Sequence, residues 1–77
     1  MRSVPDLTND PLWHAYERAR DAYRDSMQTR LRLDAELATT FSEETLRAWD
    51  AAHREEEKCF EELKSAERAV RAKYANL

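Results

Sequence analysis

The stretch Asp50–Leu63, DAAHREEEKCFEEL, gathers a histidine, a run of carboxylates and the chain's one cysteine within about four helical turns. Such residues can ligate a metal or build a thiol nucleophile, and their spacing decides between those chemistries and plain helix surface. A zinc-protease helix needs His-Glu-x-x-His; here Arg54 follows His53, and no second histidine stands four residues on. A di-metal bundle needs Glu and Glu-x-x-His from facing helices. Asp50-x-x-His53 and His53-x-x-Glu56 offer part of that pattern, and a dimer would double it. However, His14 is far away along the chain, and no inward glutamate of the first helix comes near His53. A cysteine–histidine pair needs hydrogen-bond reach, whereas His53 and Cys59 are nearly two turns and about 120° apart on a helix. Cys59 therefore reads as a small hydrophobe, and Glu55, Glu57, Glu61 and Glu62 read as solvated surface.

The elements that carry these residues are written in the composition. The 77 residues make one small domain, without glycine and with prolines only at positions 5 and 11. Without glycine there is no phosphate-cradling loop and no nucleophile elbow, and tight strand hairpins lose their usual turn residue. Abundant Ala, Glu, Arg and Leu point to long helices. The formal charge of −3 is unevenly spread: residues 43–63 carry −5 and residues 64–77 carry +3. Acids early and bases late in one helix complement its dipole. No polybasic face for phosphates appears. One cysteine allows no internal disulfide, and no apolar run follows Met1–Pro5, so a cytoplasmic setting with no signal peptide and no membrane span is expected.

The expected fold is all-α: an N-terminal arm over residues 1–10, then a hairpin over 11–77. Asp10 caps a first helix of about 11–39 and Pro11 fits its first position. Leu12, Trp13, Tyr16, Ala19, Tyr23, Met27, Leu31, Leu33, Leu37, Ala38 and Phe41 form its apolar stripe. Residues 40–42 make the turn, where Ser42 caps a second helix of about 43–75 and Phe41 with Leu46 has the spacing of a hydrophobic staple. The second stripe runs through Leu46, Trp49, Ala52, Cys59, Phe60, Leu63, Ala66, Val70, Tyr74 and Leu77. Two rods touch along one line, and leaving such wide stripes wet forfeits roughly 1.5–3 kcal/mol per large apolar side chain. Two hairpins dimerising into a four-helix bundle would solve this.

Polar residues interrupt the stripes at Arg20 and Arg30 on the first helix and at His53, Glu56 and Glu67 on the second. If the chain folds back about residue 41, position i faces roughly position 82 − i. Glu56 then comes one turn from Arg30, and Glu67 about one turn from Arg20. Two acid–arginine layers are expected, serving register more than stability. Among the aromatics, Trp49, Tyr23 and Trp13 are the candidate anchors for a protein partner.

No catalytic motif and no cofactor emerge. The reading is a non-enzymatic, homodimeric, protein-binding regulator (an inhibitor, anti-activator or adaptor). A nucleic-acid-binding bundle and a metal-binding bundle using His53 and Glu56 are the alternatives. The capped helix DPLWHAYERARDAY, the turn TFSEET and the segment LRAWDAAH resemble the layout of small phage-encoded helical-hairpin proteins that silence host regulators or pilus motors. The anti-quorum-sensing proteins of Pseudomonas phages are one example. That resemblance implies a viral protein that dimerises in the host cytoplasm and blocks a host transcription factor or ATPase.

Overall fold

The computed structural model describes residues 8–75 as two helices, α1 over Pro11–Thr39 and α2 over Glu43–Tyr74. No strand occurs among the described residues. Contacts running from Asp10–Lys73 at one end to Asp34–Trp49 towards the other make the pair an antiparallel hairpin. Most of the N-terminal arm (residues 1–7, with Val4 and Leu7) and Leu77 of the second stripe lie outside the described residues. No described helix is long and apolar enough to cross a membrane.

Local chemistry accounts for each helix end. Asp10 sits in extended backbone and accepts the Leu12 N–H at 2.9 Å, while Pro11 takes the first helical position. At the other end of α1, the Thr40 N–H closes on the Glu36 carbonyl at 2.7 Å. Ser42 restarts the helix by accepting the Thr45 N–H at 3.1 Å. Glu43 and Glu44 in the first turn of α2, and Arg71 and Lys73 in its last, align with the helix dipole. Phe41 and Leu46, which have the spacing of a staple, are both exposed, at 73% and 41%. Phe41 therefore stands open at the hairpin tip, beside the exposed Glu43 and Glu44.

Packing is thin. Among the described residues only Asp10, Ser26, Leu33 and Cys59 are buried, and no large side chain is fully enclosed. Small side chains meet near the middle, where the Ser26 hydroxyl reaches the Cys59 thiol. Contacts across the seam fall slightly beyond the expected 82 − i. Asp34 meets Trp49, Tyr23 meets Phe60 and Asp10 meets Lys73, pairs that sum to 83, while Ser26 and Cys59 sum to 85. Arg30 reaches a further turn along to Glu56 because its side chain is long. The result is a rod of 60 × 16 × 15 Å. Its radius of gyration is 17.3 Å, whereas a compact domain of this length has about 11–12 Å.

The open end is tied by Asp10, which caps α1 and also takes Lys73 Nζ of α2 at 3.0 Å. The hydrogen bond from Lys73 holds the Asp10 carboxyl below its ordinary value of 3.8; burial opposes this and the Leu12 N–H adds to it. A depressed folded-state pKa means that the contribution is present above the unfolded value and is lost as pH falls through the folded one. Asp10→Asn keeps the capping oxygen but removes the charge. Denaturant unfolding should find this variant less stable than wild type at neutral pH, with the gap narrowing as pH falls below 3.8. A gap independent of pH would mean that the Lys73 pair contributes nothing.

Candidate partner-binding face

A polar clamp joins the two helices in the half nearer the loop. Trp49 Nε1 on α2 donates to Asp34 Oδ1 on α1, and Asp34 Oδ2 accepts Arg30 Nη1 at 2.7 Å. Arg30 Nε then donates to Glu56 Oε2, back on α2. Arg30 and Asp34 are one turn apart, which lets a single face of α1 present both partners. The Arg30 and Glu56 side chains are only 23% and 18% exposed. The hydrogen bond to Glu56 raises the Arg30 pKa above its ordinary value; burial opposes this, and the Glu56 and Asp34 charges add to it. Desolvation offsets part of the attraction, so the clamp acts mainly on which residues face each other.

The first expected layer is thus Arg30 with Glu56, and the second does not form. Glu67 pairs with Arg71 one turn along its own helix at 2.6 Å. Arg20 leans on Asp21 at 3.7 Å and covers the Tyr16 ring at 5.9 Å. Glu67 stands level with Tyr16, a turn short of Arg20, and meets Arg71 on its own helix instead. Sequence reasoning passes over Asp34, although it stands one turn after Arg30 and within a residue of the position facing Trp49. That coincidence was the available signal.

Beside the contact line runs a second set of residues spaced by sevens and fours. On α1 it comprises Trp13, Arg20, Met27, Leu31 and Ala38; on α2 it comprises Leu46, His53, Phe60, Lys64 and Arg71. Both rows lie on the same side of the hairpin. Trp13 and Arg71 border one hollow of about 180 Å³, and Tyr23 stacks on Phe60 with ring centroids 5.4 Å apart. The opposite side is different, a shallow hollow of about 550 Å³ bordered mostly by small residues such as Ala15, Ala22, Ser65 and Ala69. The rod therefore has an aromatic flank and an alanine flank. Leu31 at 51%, Phe60 at 43% and Leu46 at 41% exposure all fall on the aromatic flank.

All three expected anchors are half-buried on this flank. Trp13 packs on Tyr16 at 5.2 Å, Tyr23 on Phe60, and Trp49 on His53 at 5.3 Å. Trp49 is not the open tip residue that its position suggests, because its N–H is committed to Asp34. Phe41 holds that place. His53 lies 3.5 Å from Glu57, while Glu56 is taken by Arg30, so the two residues of the metal alternative are not brought together. Among the described residues no group of three or more His, Cys, Asp or Glu is arranged to hold a metal ion. Cys59 is 5% exposed, and burial pushes its thiol pKa up.

Comparison with known proteins finds no match among family models, curated proteins or solved structures.

Trp49→Phe keeps an aromatic ring against His53 and deletes the donor to Asp34 together with a part of the ring surface. Denaturant unfolding should show a loss of about 1 kcal/mol with unchanged helicity. Wild-type stability in this variant would show that the indole N–H is solvated instead.

Proposed function

We propose that the protein is a non-enzymatic regulator that binds another protein as a homodimeric helical hairpin. The observation that carries this reading is the division of labour on its surface. Large apolar side chains, Leu31, Leu46 and Phe60 along one flank and Phe41 at the tip, are exposed, and aromatic residues are enriched at protein contacts. The flank is a continuous, heptad-spaced seam of the kind that a four-helix bundle closes. Phe41, 73% exposed in the loop, stands apart from that seam and suits the role of partner anchor. Blocking a host transcription factor or ATPase, as the phage-protein resemblance implies, is one use of such a design.

Light scattering should give a mass near twice 9.1 kDa, stable to dilution through the micromolar range. Affinity capture with the full chain should yield a protein partner, whose binding is then measured by calorimetry. Phe41→Ser should weaken that binding at least tenfold while leaving the mass and helicity unchanged. A partner that binds Phe41→Ser and wild type equally removes the tip from the mechanism, and a monomer removes the bundle.

A further inference from the structure

We infer that the aromatic flank is covered by a second copy of this chain lying antiparallel to the first, with the loop of each hairpin over the helix termini of the other. This rests on the homodimer reading above and adds its orientation, register and contact residues. The argument is charge complementarity along an apolar seam. In the terminal half of the flank stand Arg20, Arg24, Lys64 and Arg71 against Glu67, a balance of +3. In the loop half, Asp34, Glu56 and Glu57 oppose Arg30, a balance of −2. Most of these groups remain substantially exposed: Arg20 at 41%, Lys64 at 42%, Arg71 at 78% and Glu57 at 69% of side-chain surface.

Two copies placed in parallel would bring four bases to four bases and acids to acids, which is repulsive at the short distances of a bundle. Turning one copy end for end lays each basic half over the other's acidic half. The stacked Tyr23 and Phe60 stand near the middle of the two helices, so the dyad passes close to them. The midpoint of α2 falls between residues 58 and 59, which sets Leu46 of one copy level with Arg71 of the other. Two Leu46 residues would instead lie about 38 Å apart, at 1.5 Å per residue. The open tips then project at opposite ends of one rod, so that the dimer presents two well-separated Phe41 anchors.

The test uses full-length chains in a Cys59→Ala background and a short bis-maleimide cross-linker. One preparation carries Leu46→Cys and another Arg71→Cys, both at exposed positions, with folding checked by circular dichroism and mass by light scattering. The antiparallel dimer predicts cross-linked dimer when the two preparations are mixed and allowed to exchange, and none in either alone. Its affinity should also fall as salt is added. Cross-linking of Leu46→Cys with itself overturns the antiparallel orientation while leaving the homodimer intact. A dimer that cross-links in none of the three samples overturns the flank as the interface. A monomeric mass overturns the homodimer reading itself.

Discussion

Two α-helices in contact touch along a line, and a line encloses no volume. Everything unusual about this hairpin follows from that constraint. Side chains that come closest to full burial are small or lie on the seam itself, as Ser26, Cys59 and Leu33 do. Larger ones have no second layer to enter, so Tyr23, Phe60, Trp13 and Trp49 pack flat against their neighbours and keep a wet side. Interior packing density, which fixes a unique structure in thicker domains, is largely missing here. Specific polar ties must do more of that work.

Those ties sit towards the two ends of the rod. At the open end Asp10 joins the start of α1 to Lys73 near the end of α2. Towards the loop, the chain of donors from Trp49 through Asp34 and Arg30 to Glu56 crosses between the helices twice. A hairpin whose seam is mostly Ala, Leu and Val loses little apolar contact when one helix slides by a turn. It would lose these hydrogen bonds, and leaving partly buried charges unpaired is costly. The polar clamp therefore specifies alignment, with net stabilisation a secondary matter.

The same geometry links fold to proposed function. A flank that the monomer leaves half covered is an obvious place for association, while a tip held open by a short turn presents Phe41 with little loss of chain entropy on binding. In this reading the thinness of the hairpin is the source of both surfaces. A thicker single-chain bundle would have buried the flank and left only the tip.

Most of what is local was legible in the sequence. Asp10 with Pro11, the β-branched pair Thr39–Thr40, and Ser42 followed by two acids mark helix ends through contacts spanning a few residues. Helical spacing likewise identifies both stripes, and the absence of glycine removes competing architectures. Tertiary structure alone decided the rest. The small displacement of the contacts from 82 − i, Asp34 as the centre of the clamp, the pairing of Glu67 with Arg71 and the division into aromatic and alanine flanks all depend on how two rods settle side by side. Periodicity gives the direction in which a side chain points, to within a broad sector. It does not say which of several reachable partners a long arginine or glutamate will choose, since those choices depend on offsets of a few ångströms that only the packed pair defines.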